Sequence, residues 1–179
     1  MRIPVVCTVL ALGLLSCHRT TAYVNADDFA RVPTGSPAAG PCNDLEQQGQ
    51  DVDLTGSQAP APRPAGGTIL DGTYVLTSST LHTTDKPHGT KLVRMGKITM
   101  LVNGTTSQLV RHSADGRERR TTVNRVSSGT TTTTQTTCAY PSSSESGSTA
   151  TAAFTATGKA LQFITPGPAG TVVATYMKL

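Results

Sequence analysis

The sequence predicts an all-β protein whose main domain, residues 68–179, is an antiparallel up-and-down β-barrel of about eight strands. Three observations lead there. From Gly72 onward Thr, Val, Ile and Tyr dominate, turn residues return at intervals of about ten, and no stretch holds a 3.6-residue apolar period. A closed barrel leaves no unpaired strand edge, which favours it over an open sheet. A two-sheet β-sandwich is the alternative.

Ahead of that domain, the apolar run from Ile3 to Leu15 holds 13 residues. A helix needs about 20 to cross a hydrocarbon core. With Arg2 before the run and the polar His18-Arg19-Thr20-Thr21 after it, residues 1–16 read as a cleaved signal peptide. Residues 17–67 follow as an Ala/Pro/Gly-rich tether, with "GSPAAGPC" and "SQAPAPRPAGG" as its most telling pieces. Such composition buries too little apolar surface to order itself. Its one ordered candidate is a short helix over residues 43–52, capped by Asn43.

Within the domain the expected strands are 73–83, 92–102, 105–113, 118–127, 130–138, 149–157, 160–165 and 171–178. The clearest hairpin is "STATAAFTATGKALQFIT", where Ala150, Ala152, Phe154 and Ala156 alternate with threonines, Gly158-Lys159 turns the chain, and Leu161 and Phe163 continue the apolar face. In "KITMLVNGTTSQLV", Ile98, Met100 and Val102 share a face and Asn103-Gly104 supplies the turn. Asn103-Gly104-Thr105 is also formally a glycosylation sequon, and the turn is the preferred reading. Asp115-Gly116 marks a third reversal, and the last strand places Val172, Ala174 and Tyr176 on one side. "GTTTTTQTTC" reads as a strand, with a stalk as the alternative, because Thr packs its methyl while its hydroxyl hydrates.

Charge is divided along the chain. Residues 18–71 carry seven acids against three arginines, and residues 72–179 carry four acids against eleven lysines and arginines. An acidic tether thus precedes a basic domain. There is no Trp and aromatic content is 4%, so the core has to be built largely from aliphatic side chains and Thr methyls.

Leu14-Leu15-Ser16-Cys17 resembles the bacterial lipobox. The resemblance implies that Cys17 becomes the first mature residue, lipidated on sulfur, so that the membrane is a partner through a lipid anchor. His18 stands where Asp retains such proteins in the inner membrane, which makes the outer membrane the expected location. The alternative is ordinary signal cleavage near Ala22. With Cys7 in the signal and Cys17 carrying lipid, Cys42 and Cys138 remain in an oxidising compartment and are expected to pair, two free thiols being the alternative.

Gly72-Thr73-Tyr74 at the first strand and Tyr176-Met177-Lys178 at the last weakly resemble the lipocalin arrangement, in which Gly-x-Trp packs under a basic residue of the final strand. Tyr here replaces Trp, and Lys replaces Arg. "PCNDL" and "GGTILDGTYVLTS" are similar to secreted lipoproteins of myxobacterial type, where a lipobox, a Cys-Asn segment, a Pro/Ala spacer and a small β domain follow one another. That resemblance implies no activity.

Chemistry-bearing constellations are sparse. His82, Asp85 and His88 are of ligand type, but their spacing matches no strong metal motif and a solvated loop is preferred. "YPSSSESGS" lacks a Gly-x-Ser-x-Gly elbow, and the chain has neither a phosphate-binding Gly loop nor Cys-x-x-Cys. No cofactor, catalytic residue or nucleic-acid partner is expected. Two functions follow: a non-catalytic envelope lipoprotein whose barrel binds a small apolar or lipidic ligand in space left by Ala150, Ala152, Ala156 and Ala174; or a structural or adhesive module touching envelope polymers through a basic face of Arg111, Arg117, Arg119, Arg120 and Arg125.

Overall fold

A computed structural model describes residues 42–179. Nine strands form one sheet: β1 (Val52–Ser57), β2 (Gly72–His82), β3 (Lys91–Asn103), β4 (Thr106–His112), β5 (Glu118–Ser128), β6 (Thr131–Tyr140), β7 (Thr149–Ala156), β8 (Ala160–Gly167) and β9 (Gly170–Lys178). From β2 to β9 each strand pairs antiparallel with the next, and β2 also pairs with β9. The all-β class and the eight expected strands are present, in one sheet rather than the two of a sandwich.

β1 was not expected. β2 and β3 pair directly only where Gly72–Val75 meets Thr99–Val102, and then diverge. β1 fills the gap, parallel to β2 through Leu54–Ser57 and antiparallel to β3 through Val52–Thr55. Backbone groups released by the divergence thereby regain partners.

The proposed helix over 43–52 is replaced by extended chain that crosses the outer face of β3, β4 and β5. Asn43 donates through Nδ2 to Thr121 O at 3.0 Å, and Gln47 donates through Nε2 to Lys97 O at 3.0 Å and Val110 O at 3.1 Å. Thr99 Oγ1 accepts from the N–H groups of Gln48 at 2.8 Å and Gly49 at 3.2 Å, and the Thr99 hydroxyl donates to Gln47 Oε1. Arg120 Nη1 holds the carbonyls of Asn43 and Leu45 at 3.0 and 2.9 Å. An isolated helix this short is marginal in water, whereas these long-range bonds stabilise the extended form. The disulfide between Cys42 and Cys138, Cα atoms 5.6 Å apart, fixes its start on the outer face of β6.

The Pro/Ala run over 58–66 is likewise tied down rather than loose, whereas residues 17–41 of the expected tether lie outside the described residues. Ala59 O meets His82 Nδ1 at 2.8 Å, Ala65 N donates to Thr155 Oγ1 at 2.9 Å, and Gly66 exchanges backbone bonds with Phe154 and Ala156. In sheet order β9 and β8 lie between these anchors, so the run straps across them. Pro60, Pro62 and Pro64 suit an extended strap, since each fixes φ and lacks an N–H to satisfy.

Tyr74, Leu76, Ile98, Met100, Val102, Phe154, Leu161 and Tyr176 form the core on one face of the sheet, joined by Val52 of β1. Bulges decide which residues reach it. Gly96, at φ +81°, coincides with a register shift between β1 and β3, and on its N-terminal side Met95 lines the same cavity as Ile98. The β3–β4 turn is Gly104-Thr105, one residue later than expected, because Asn103 pairs with Thr106; Gly104 supplies the positive φ at +55°.

An ideal Cβ at Gly96 would lie 2.0 Å from His112 O, while one at Gly89 would meet nothing within 4 Å although its φ is +76°. Gly96→Ala therefore costs about 3 kcal/mol or more in denaturant unfolding, and Gly89→Ala only about 1 kcal/mol. Equal losses would show that backbone conformation alone, and not the close approach at the bulge, sets the requirement.

Candidate binding cavities

Among the described residues, cavities that adjoin the core face include three of note. The first, about 380 Å³, is walled by Leu76, Leu81, Met95, Ile98, Phe163 and Val172, with Ser79, Arg111 and Tyr176 as polar members and the Pro166–Gly170 hairpin at its rim. The second, about 250 Å³, includes Met100, Leu109, Val123, Ala150 and Ala152 with Ser107 and Arg125. Phe163, Thr165 and Tyr176 line both, so the two are neighbours across one wall. The third, about 270 Å³, shares Leu54, Met95, Arg111 and Val172 with the first.

Strand alternation explains this lining. On β4 Ser107, Leu109 and Arg111 face inward, opposite Val123, Thr121 and Arg119 of β5. The bulge that leaves Thr137 unpaired on β6 turns Cys138 outward and Thr134 and Thr132 inward. On β9 Val172, Ala174 and Tyr176 line the first cavity, the face expected from the sequence.

Electrostatics single out two arginines and a tyrosine. Burial pushes the Tyr176 hydroxyl up to about 12, against the opposing pull of the Arg111 guanidinium. Burial lowers Arg111, Tyr176 offsets part of this, and Arg119 lowers it further. Arg111 Nη2 donates to Met95 O at 3.2 Å. Burial also lowers Arg125, with Asp71 and Tyr74 opposing. A guanidinium starts so high that both arginines keep their charge at neutral pH. Ser79 Oγ, Ser107 Oγ and Arg125 Nε are buried without a hydrogen-bond partner.

The five arginines are divided between the two faces of the sheet: Arg111 and Arg117 line the third cavity together with Arg94, and Arg111 stands opposite Arg119. Arg111 and Arg125 line cavities. Arg117 pairs with Asp115, Arg119 with Glu145, and Arg120 with Glu118. The Arg120 guanidinium and then His112 hold the Glu118 carboxyl below its usual range. Alternation along β5 sends neighbouring arginines to opposite faces, which a count along the sequence does not reveal.

His82, Asp85 and His88 are not brought together: His82 holds Ala59 O, and Asp85 Oδ1 accepts from the Thr84 hydroxyl at 3.1 Å. Among the described residues no group of three His, Cys, Asp or Glu is arranged for a metal ion. Of the four alanines, Ala150 and Ala152 line the second cavity, Ala174 the first, and Ala156 packs against the core. Ser79, Ser107, Leu54 and the inward role of the arginines were missed. Strict alternation from Leu109 and Val123 gives Ser107, Arg111 and Arg125, whereas Ser79 and Leu54 depend on a bulge and on an unforeseen strand. Cys17 and the signal segment lie outside the described residues. Comparison with family models, curated proteins and solved structures finds no match to this chain.

The raised Tyr176 group carries a sign for stability. Its contribution is full below pH 10.0, the ordinary tyrosine value, and is lost as pH climbs toward the folded value of about 12, because only the unfolded chain ionises freely in that window. The loss reaches at most about 3 kcal/mol. The unfolding free energy measured across this range should fall in the wild type and fall less in Tyr176→Phe; an equal alkaline decline in both would assign it to other groups.

Proposed function

We propose that the protein is a non-catalytic envelope lipoprotein whose ring of pairings from β2 to β9 forms a lipocalin-like up-and-down barrel that binds a small apolar or lipidic ligand. The cavity of about 380 Å³ carries this reading: its walls are chiefly aliphatic and aromatic, its polar groups are few, and its volume lies in the range of small-molecule sites. Pairing of β2 with β9 supports closure, since it supplies a partner to what would otherwise be two sheet edges. Tyr74 sits opposite Lys178, and an ideal Cβ on Gly72 would lie 2.4 Å from Lys178 Cε, a placement in keeping with the lipocalin pattern at the strand ends. Ion pairs of Arg117 with Asp115, Arg119 with Glu145 and Arg120 with Glu118, and the places of Arg111 and Arg125 in cavity walls, favour this reading over an adhesive basic face.

The ligand reading is tested with the neutral dye N-phenyl-1-naphthylamine. Saturable uptake by the folded chain is expected, and Ala174→Phe, which fills the first cavity from β9, should weaken it about tenfold or more while leaving the thermal transition cooperative. Absence of saturable uptake in a folded wild-type chain would overturn the reading.

The anchor rests on the lipobox resemblance at Leu14–Cys17. Intact mass spectrometry of membrane-fraction protein should give a chain beginning at Cys17 with added acyl mass, and Cys42 and Cys138 should alkylate only after reduction. A chain without acyl mass would remove the anchor and with it the envelope location.

A further inference from the structure

We propose that the ligand is an amphiphile with an anionic head and that Arg125 and Ser107 receive that head in the second cavity, an assignment that rests on the ligand-binding reading above. Arg125 is only 9% exposed. Its Nη2 donates to Gly104 O at 2.8 Å, yet its Nε is buried without a hydrogen-bond partner. Ser107, 2% exposed, has its Oγ in the same condition. Ser107 stands opposite Val123, and Arg125 follows Val123 by two residues on the same face, so the two groups are diagonal neighbours across the β4–β5 ladder. Both line one cavity.

Leaving a charged donor buried and unsatisfied is costly, and a hydroxyl beside it in the same state adds to the cost. One oxyanion accepts from the Arg125 Nε–H and the Ser107 O–H together, satisfying both. A neutral head accepts more weakly, because it brings no opposite charge to offset the desolvation of the buried guanidinium. No carboxylate lines this cavity. The acid that Arg125 senses, Asp71, is exposed and its Oδ1 accepts from Gly104 N at 2.8 Å. Around the head the walls are apolar or carry neutral hydroxyls, and the shared residues Phe163 and Tyr176 lead to the first cavity, whose Leu76, Ile98 and Val172 suit an alkyl chain.

The test uses the full chain, freed of bound lipid and loaded with the neutral dye, and compares displacement by decanoate, decyl phosphate and 1-decanol at neutral pH. The anions should displace dye at concentrations about tenfold lower than the alcohol, and the better of the two identifies carboxylate or phosphate as the preferred oxyanion. Arg125→Gln should abolish the anion preference, so that decanoate, decyl phosphate and decanol displace dye at similar concentrations, and Ser107→Ala should reduce it several-fold. Should Arg125→Gln not fold, Arg125→Lys, which keeps charge without the planar fork, should retain only part of the preference. Equal displacement by decanoate, decyl phosphate and decanol from the wild type overturns the proposal, as does loss of the preference in Arg111→Gln but not in Arg125→Gln. Failure of the wild type to take up dye at all overturns the ligand-binding reading itself.

Discussion

The divergence of β2 from β3 is the constraint on which the rest of this molecule depends. After the pairing of Gly72–Val75 with Thr99–Val102, the two strands separate and expose a gap in the hydrogen-bonded ring. Backbone N–H and C=O groups facing that gap require partners, and β1 provides them on both sides at once. In doing so it carries Val52 into the core and Leu54 to the walls of two cavities. The segment before β1 is drawn over the outer face of β3–β5 and the segment after it over β9 and β8. The described part of what composition marks as linker, residues 42–67, is thus held by the sheet it wraps.

That dependence explains what was legible in the sequence and what was not. Strands β2 to β9 announce themselves because alternation, β-branched residues and turn signals are all local. β1, "VDLTGS", has no partner within its own neighbourhood; its pairing residues lie more than twenty positions away, so nothing adjacent distinguishes it from the polar chain on either side. The same holds for Asn43 and Gln47, whose amides act on strands fifty or more residues distant. The proline-rich strap misleads for a different reason: residues that cannot build a core of their own can still lie extended along a sheet, once their backbone groups find partners on it.

Faces were harder to read than strands. One extra residue inverts every side chain beyond it. Alternation held on β9 from Val172 to Tyr176, and it failed at Gly96 on β3, at Leu76–Ser78 on β2 and at Thr137 on β6. On β5 no bulge was needed for the error. Arg119, Arg120 and Arg125 look like one basic cluster, yet odd and even positions face opposite ways, so Arg120 clasps the outer segment while Arg125 enters a cavity. Charge counted along a strand is not charge on a surface.

Buried arginines are also the point at which folding and binding meet. A protein interior stabilised chiefly by Val, Leu, Ile and small residues has little aromatic area to offset the desolvation of two guanidinium groups. Carbonyls of Gly104 and Met95 compensate in part, each taking one donor. An isosteric apolar side chain at position 125 would avoid the cost altogether and would fold with less demand on its neighbours. Retaining a cation beside an unsatisfied hydroxyl is therefore poor economy for a fold alone, and it becomes intelligible when the missing acceptor arrives with a ligand whose apolar chain the adjoining cavity also accommodates.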